Sequence, residues 1–195
     1  MGHLRPAIVL VVLFTVLTGF IFPLGFVAGA RIAAPYGANG SLIERDGVVV
    51  GSALIAQEFK DAKYFHARPS ATTDTDPADS TKTIPAPYNA ANSGGSNLAA
   101  TSKALIDRVT ADAATAGPAP IPADAITTSA SGLDPDISPE NAARQVDAVA
   151  AARNLPADKV QQLVAANTQG RLLGLIGEPR INVLALNLAL DAAAR

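Results

Sequence analysis

The sequence predicts an α+β protein, with one N-terminal transmembrane helix followed by a single extracytoplasmic domain that holds a small β-sheet and several helices. Three patterns support this fold class. An uncharged apolar run lies between Arg5 and Arg31, β-branched residues flank the pair Asp46-Gly47, and apolar residues recur at helical spacing in the second half of the chain. The predicted division is an anchor at 1–31 and a domain at 32–195.

Composition restricts the classes of function that the chain can have. Apolar residues make up 49% of the sequence and charged residues 16%, which indicates a folded chain and not a disordered one. The net charge of −2 comes from scattered single charges, so no nucleic-acid partner is expected. Because the chain has no cysteine and only 2 histidines, we expect neither a disulfide nor a metal centre.

The segment from Pro6 to Ala30 is long enough to cross a bilayer, because a transmembrane helix needs about 20 apolar residues. Pro6 fits the first helical turn, whereas Pro23 is expected to kink the far end. A signal peptide cleaved after Ala30 is the alternative, but the apolar run exceeds the roughly 7–15 residues of a signal peptide's apolar region. Positive charges at the two ends nearly balance, which leaves the orientation open on charge alone.

A β-hairpin is predicted directly after the anchor. Asp46-Gly47 suits the positive φ angles of a two-residue turn, which gives strands from Leu42 to Arg45 and from Val48 to Ala56. The stretch from Pro69 to Gly95 is rich in Thr, Asp, Ser, Pro, Asn and Gly and has almost no apolar periodicity. An irregular loop with a functional or mobile character is predicted there.

Helices are predicted in the rest of the domain from apolar spacing, capping residues and breakers. Their approximate bounds are Leu98 to Thr115, Pro139 to Arg153 after the cap Ser138, Pro156 onwards, and Asn182 to Ala194. The residues expected to face inward are Ala142, Val146, Val149, Val160, Leu163 and Val164. Leucines in the last stretch also alternate with period two, but its alanine and leucine content favours a helix.

Two polar motifs are candidate binding sites. The run Ser93, Gly94, Gly95, Ser96 and Asn97 precedes a predicted helix, where backbone N–H groups and the helix dipole can receive an anion. A tight turn that caps the helix explains the same residues, and the run lacks the Lys-Ser/Thr ending of a P-loop.

The second motif runs from Tyr64 to Ser70 and contains Phe65, His66, Arg68 and Pro69. Such a density of rings and charge is typical of a binding surface, although aromatic anchors of a surface loop would give the same pattern.

Hydrolase chemistry is not expected. Ser129, Ser131 and Asp134 form a hydroxyl-rich stretch, but a serine nucleophile needs a base, and His66 is the one candidate histidine in the domain. Neither a G-x-S-x-G nor an S-x-x-K motif is present, and turn or capping hydrogen bonds explain these side chains as well. We therefore predict no catalytic residue.

Taken together, these segments resemble the KdpC family, the C subunits of Kdp potassium-transporting P-type ATPases. The resemblance covers nearly the whole chain, and nine short stretches in the family's order make it specific. They are Arg5-Pro6-Ala7, Asn39 to Ile43, Gly51 to Gln57, YFHARPSA from Tyr64, Tyr88-Asn89, SGGSNL from Ser93, SASGLDP from Ser129, Ala152 to Leu155, and GEPRINVLALNLALD from Gly177 to Asp191.

The resemblance implies a single-pass, non-catalytic subunit of the bacterial cell membrane with its domain on the periplasmic side. Expected partners are a KdpA-like potassium-translocating subunit, a KdpB-like P-type ATPase subunit, a small KdpF-like subunit and membrane lipid. The complex would use ATP, Mg and potassium, with ATP hydrolysis in the ATPase subunit and no cofactor expected on this chain. The subunit would assemble with and stabilise its partners, and it would raise the ATP affinity of the ATPase subunit as a catalytic chaperone.

The resemblance also suggests site residues. Gln145 matches a glutamine linked in the family to nucleotide interaction, and Ser93 to Asn97 form the other nucleotide-related candidate. Because ATP is cytoplasmic and the domain is expected outside, a simpler hypothesis is that the anchor packs on the KdpA-like subunit while the domain covers its ion entrance. The partner-contact candidates are Tyr64, Phe65, His66, Arg68, Pro69 and Asp134.

Two other hypotheses stay open on sequence. The first is a membrane-tethered module whose loop from Pro69 to Gly95 holds a small ligand. The second is a secreted enzyme released after Ala30.

Overall fold

The fold is that of an α+β protein, as predicted. A computed structural model describes residues 2–193, with one apolar N-terminal helix and a domain that holds small sheets. Contacts between Cα atoms divide the chain into two compact units, Met1–Val50 and Gly51–Arg195. The division between an anchor at 1–31 and a domain at 32–195 concerns the membrane and stays a prediction.

The first unit begins with an uninterrupted apolar helix, Leu4–Ala33, which contains the predicted span. It consists of α1 (Leu4–Val16), a π-helical turn (Leu17–Ile21) and α2 (Phe22–Ala33). The mean hydropathy of its most apolar window is 2.7, and none of that window is buried by the rest of the chain. At about 1.5 Å per residue the helix exceeds the roughly 30 Å hydrocarbon core of a bilayer, so it can span a membrane.

The π-helical turn has a cause in the sequence. Pro23 lacks an N–H group, and its ring would clash with the carbonyl of the residue four positions earlier, Gly19. A wider turn immediately before the proline relieves this clash, and the Phe22 N–H reaches back to the Leu17 carbonyl. The hydroxyls of Thr15 and Thr18 donate to carbonyls four residues earlier, at 2.7 and 2.6 Å, so both polar groups are satisfied within the helix.

A short helix α3 (Pro35–Ala38) and a hairpin of β1 (Leu42–Arg45) and β2 (Val48–Ser52) follow. The turn has φ angles of 54° at Asp46 and 77° at Gly47, as the sequence predicted. The prediction that the second strand reaches Ala56 is wrong. The chain turns after β2, where the Ser52 hydroxyl accepts the Leu54 N–H at 3.2 Å and ends the strand.

The core of the second unit lies between three helices and a three-stranded sheet. The helices are α6 (Pro139–Arg153), α7 (Ala157–Asn167) and α8 (Val183–Ala193). The antiparallel strands are β5 (Asp136–Ile137), β6 (Thr168–Gln169) and β7 (Arg180–Asn182), with β7 in the centre. The buried cluster consists of Phe65, Ile137, Ala142, Val146, Val149, Ala150, Val160, Val164, Ile181, Val183, Leu186 and Leu190.

These three helices confirm the predicted ones. Every residue predicted to face inward on α6 is buried, as are Val160 and Val164 on α7, while Leu163 packs partly buried against the core. The leucine-rich end forms the helix α8, which buries Val183, Leu186, Asn187 and Leu190 at intervals of one helical turn. The predicted helix end at Ala194 lies outside the described residues.

The start of α6 is fixed by a carboxylate from a neighbouring helix. Asp124 lies in α5 (Ala123–Ile126), and its two carboxylate oxygens accept the Ser138 N–H at 2.8 Å and the Ser138 hydroxyl at 2.9 Å. The Ser138 hydroxyl in turn accepts the Asn141 N–H at 3.1 Å and caps the helix. A negative charge at this end also favours the helix dipole.

The prediction of an irregular loop from Pro69 to Gly95 is wrong in part. This stretch contains an antiparallel hairpin of β3 (Thr73–Asp76) and β4 (Asp79–Pro85). Apart from Ile84 and Pro85, both faces of the hairpin are polar and largely exposed, so the sequence shows no alternation of apolar and polar residues. The side-chain amides of Asn89 and Asn92 donate to the Thr73 carbonyl at 3.0 and 2.9 Å and hold the hairpin in place.

The predicted helix from Leu98 starts later than expected. The helix α4 runs from Lys103 to Thr115, because Asn97 adopts a left-handed φ of 54° and a turn closes from the Ser102 N–H to the Ala99 carbonyl. No residue of α4 is buried, so apolar packing does not fix where it begins.

Candidate functional site

The aromatic and basic motif, residues 64–70, forms a segment outside the helices and strands, and it places Phe65 in the core of the second unit. Phe65 is fully buried, whereas His66 on its other side is exposed. Residues 65 and 66 belong to none of the strands that the structure describes. Their backbone groups therefore need partners of another kind.

Two side-chain amides supply these partners. Asn187, on α8, accepts the Phe65 N–H at 2.8 Å and donates to the Phe65 carbonyl at 2.9 Å. Gln145, on α6, accepts the His66 N–H at 2.8 Å and donates to the His66 carbonyl at 3.2 Å. Each amide thus takes the place of one residue of a neighbouring strand, and we call the pair the amide clamp.

Arg68 ties the segment to a second part of the domain. One terminal nitrogen donates to Asp134 Oδ2 at 3.0 Å, and the other lies 3.3 Å from the Thr128 carbonyl and 3.5 Å from that of Thr127. The Arg68 and Asp134 side chains are only 24% and 32% exposed. Two predicted partner-contact residues therefore bind each other.

Ser70 and Tyr88 extend the network. The Ser70 hydroxyl donates to the Gly132 carbonyl at 2.8 Å and accepts the Tyr88 N–H at 3.1 Å, and the Tyr88 hydroxyl donates to the Arg68 carbonyl at 3.0 Å. Gly132 has a φ of 67°, and a side chain there would collide with Thr72 and with the Gly94 carbonyl. The glycine is required for the chains to approach each other this closely.

The glycine run at 93–97 packs against the stretch 130–131 and does not directly precede a helix, although the sequence predicted that it would. The Gly94 N–H and the Ser93 hydroxyl both donate to the Ser131 carbonyl at 2.9 Å, and Gly95 packs against Ala130. Because α4 begins only at Lys103, the run does not lie at a helix N-terminus, where both the anion-site and the helix-capping interpretations placed it. A nucleotide-related role for these residues and for Gln145 stays a prediction.

Sequence reasoning missed a buried arginine next to the segment. Arg153, with only 6% of its side chain exposed, donates to Asp191 Oδ1 at 2.8 Å and to the Lys63 carbonyl at 2.6 Å. Its guanidinium lies 4.9 Å from the centre of the Tyr64 ring. Arg153 and Asp191 lie in two predicted helices, but nothing in their sequence spacing links them.

An open cleft of about 700 Å³ lies beside the Arg68–Asp134 pair. Asp136 lines it and forms an ion pair with Arg180 at 3.0 Å. Burial raises the pKa of Asp136, the nearby Asp134 carboxylate adds to that rise, and the Arg180 guanidinium opposes it.

The polar side chains of the site bond to one another and to the backbone, so their described contacts are structural. In the part of the chain from 2 to 193, no group of three or more His, Cys, Asp or Glu side chains is placed to hold a metal ion. The Ser129 hydroxyl is buried and has no hydrogen-bond partner within those residues, and His66 enters the network through its backbone alone. The arrangement fixes the shape of a surface and offers no nucleophile paired with a base.

Comparison with known proteins gives a consistent result. The KdpC family, described as the c chain of K+-transporting ATPases, matches residues 4–192. The potassium-transporting ATPase KdpC subunit of Bradyrhizobium diazoefficiens is 64% identical over 196 residues, which covers 98% of each chain. The proteins of the same name from Methylobacterium nodulans and Rhodopseudomonas palustris strain BisB18 are each 61% identical, again over 98% of both chains.

The amide clamp leads to a stability prediction. Asn187→Leu keeps the side-chain size but leaves the buried N–H and carbonyl of Phe65 unpaired, so we expect a loss of about 2–5 kcal/mol in the free energy of unfolding. A urea titration of the full-length chain in detergent, with unfolding monitored by circular dichroism, measures this loss. Gln162→Leu, on the exposed face of α7, is the matched control and should change stability by less than about 0.5 kcal/mol. Equal stability of the two variants would contradict the clamp.

The raised pKa of Asp136 leads to a pH prediction. The folded state binds this proton more readily than the unfolded state, whose pKa is near 3.8. Stability of the wild type relative to Asp136→Asn should therefore be highest at low pH and should fall as the pH rises from 3.8 through the folded pKa. Urea midpoints from pH 3 to pH 7 test this, with Asp147→Asn as a control for net charge. A difference that grows with pH would show that the Arg180 ion pair outweighs burial.

Proposed function

The chain belongs to the KdpC family, the c chains of K+-transporting ATPases, and on this premise we propose that it assembles with, and stabilises, the other subunits of such a pump. It is an accessory subunit of a potassium-transporting ATPase. The proposed partners are a KdpA-like potassium-translocating subunit, a KdpB-like P-type ATPase subunit and a small KdpF-like subunit, with lipid around α1 and α2. ATP, Mg and potassium would be used by those partners and not held by this chain.

The observation that carries the proposal is the locked polar network around residues 64–70. Its charged and amide side chains are directed at each other and at the backbone, so they define a rigid surface. A rigid surface without paired reactive groups suits recognition of a partner better than chemistry. The apolar helix Leu4–Ala33 supports the membrane part of the proposal.

An effect on ATP affinity is proposed to be indirect. Gln145 is 9% exposed, and its amide is occupied by the His66 backbone, which gives it a positioning role. A subunit that binds one conformation of its partners more tightly shifts the population towards that conformation. Raised ATP affinity in the ATPase subunit would then require no contact between nucleotide and this chain, which fits a domain on the periplasmic side.

The cleft beside Arg68 favours a second candidate function, a membrane-tethered module that binds a small ligand. Its volume of about 700 Å³ is within the range of small-molecule sites. Charged side chains of both signs line it, including Asp124, Asp136 and Arg180.

Purification from the native membrane tests the subunit role. The tagged full-length chain, extracted in mild detergent, should bring with it a P-type ATPase and a multi-span subunit, and the eluate should show potassium-stimulated ATPase activity. Mass spectrometry identifies the partners, and membranes with an untagged chain serve as the control. Recovery of this chain alone would favour the tethered module.

The absence of cysteine allows a clean test of the side on which the domain lies. Lys82→Cys introduces one thiol at an exposed position on β4, where the native side chain is 70% exposed. A membrane-impermeant maleimide should label it in cells whose outer envelope is opened but whose inner membrane is intact. Gly2→Cys, before the helix, should react only after the inner membrane is permeabilised. The reverse pattern would place the domain in the cytoplasm.

A further inference from the structure

The most exposed apolar surface of the second unit is a loop between β6 and β7, which we call the aliphatic loop and define as residues 171–178. Four large aliphatic side chains project from it, each far more exposed than an average core residue. They are Leu172 at 65%, Leu173 at 85%, Leu175 at 83% and Ile176 at 63% exposure. Isolated apolar residues on a surface are ordinary, but four together at one tip mark an interaction site.

The aliphatic loop is ordered by its own hydrogen bonds. Leu172 and Ile176 exchange two backbone bonds, of 2.8 and 3.0 Å, and Arg171 and Glu178 close the base with an ion pair at 2.6 Å. The loop is thus a short, hydrogen-bonded turn that projects from the domain and holds its apolar tip in a defined conformation.

Backbone strain at the tip also indicates an interaction site. Leu173 adopts a φ of 55°, a left-handed conformation that is uncommon for a bulky residue, and Gly174 follows at 73°. Strained residues of this kind cluster at sites that bind or switch. Here the strained residue is also the most exposed of the four aliphatic side chains.

We propose that the aliphatic loop inserts into an apolar pocket on another subunit of the potassium-transporting ATPase. The proposal rests on the subunit role proposed above and names the contact that serves it. We expect apolar side chains to line this pocket, because they match the aliphatic tip. We expect hydrogen-bond donors at its rim, because they match the backbone carbonyl oxygens of the tip.

A lipid bilayer is a poorer fit for this tip. The carbonyl oxygens of Leu173, Gly174 and Leu175 accept no hydrogen bond within the described part of the chain, and hydrocarbon offers no donors. The aliphatic loop contains neither Trp nor Tyr, which are typical of a membrane interface, and its one basic side chain, Arg171, is paired with Glu178 at 2.6 Å. A protein pocket can supply both apolar contact and donors to the free carbonyls.

A second copy of this chain is also a poorer fit. A stable interface of standard size presents roughly 20–30 residues on each side, far more than the few residues of this tip. The aliphatic loop is suited to one contact of a composite interface in which another element holds the same partner. The membrane-spanning helix is such an element, because it confines the chain to the membrane of its partners and raises their effective concentration.

The test compares two double variants of the full-length chain in its native membrane. Leu173→Asp with Leu175→Asp places two charges at the tip, where burial in an apolar pocket is unfavourable. Ile84→Asp with Ile106→Asp is the matched control, since these native side chains are 38% and 56% exposed in the same unit and lie outside the polar network around residues 64–70. Partner recovery after mild-detergent extraction is quantified by mass spectrometry against the amount of tagged chain.

We expect the tip variant to lose about tenfold or more of the recovered partner subunits. The control variant should match the wild type, and the circular dichroism spectrum should be unchanged in both. Wild-type recovery of the tip variant would overturn the proposed loop contact while leaving the subunit role intact. If the wild type itself recovers no partner, the subunit role and the loop contact both fail.

A photo-crosslinking residue in place of Leu173 identifies what covers the tip. A crosslinked product with another subunit of the complex supports the proposal. Products with lipid alone, with a second copy of this chain, or no product at all would contradict it. The same crosslinker in place of Ile106 serves as the control for random collision.

Discussion

The amide clamp is the interaction on which the rest of the domain depends. An extended stretch of backbone normally lies in a sheet, where neighbouring strands pair its N–H and carbonyl groups. Here Asn187 and Gln145 provide that pairing for two consecutive residues from two different helices. Because the Phe65 ring is buried in the core at the same place, the clamp fixes both the register of the segment and the positions of α6 and α8 around it.

Polar contacts spread outward from this segment and hold parts of the chain that have little apolar side-chain area. Arg68 reaches the stretch 127–134, and Ser70 reaches Gly132, so the segment 64–70 and the hydroxyl-rich stretch 127–134 are held together. The Ser93–Gly94 pair joins them through the Ser131 carbonyl. The polar motifs that the sequence offers as candidate binding or catalytic sites therefore hold irregular backbone segments together.

The sequence predicts those elements whose order comes from apolar packing. The helices α6, α7 and α8 have strong apolar periodicity and clear capping residues, and they lie where expected. The hairpin of β3 and β4 is not predicted because both of its faces are largely polar and it is held by backbone pairing and by Asn89 and Asn92. The start of α4 could not be predicted because none of its residues is buried, so apolar spacing does not mark where the helix begins.

The site was less predictable than the fold, for a related reason. An Asn or Gln in a helix is usually exposed, and nothing local in the sequence marks Asn187 as 1% exposed or assigns its amide to a backbone more than a hundred residues away. The ion pair of Arg68 with Asp134 and that of Arg153 with Asp191 likewise join distant positions. Motif patterns and predicted helices contain these residues, but their pairing is visible only in the three-dimensional structure.

The division between inward polar groups and outward aliphatic groups bears on how such a subunit can act. Polar side chains in the network bond to one another and to the backbone and so fix the shape of that surface, whereas the four aliphatic side chains of the aliphatic loop are 63–85% exposed. A contact of that size is weak when the two proteins diffuse freely. A chain held in the same membrane as its partners meets them at high effective concentration, so a small apolar contact can select a conformation without being strong in isolation. Under the proposed function, the anchor would supply proximity and the loop would supply specificity, and neither role would require reactive chemistry from this chain.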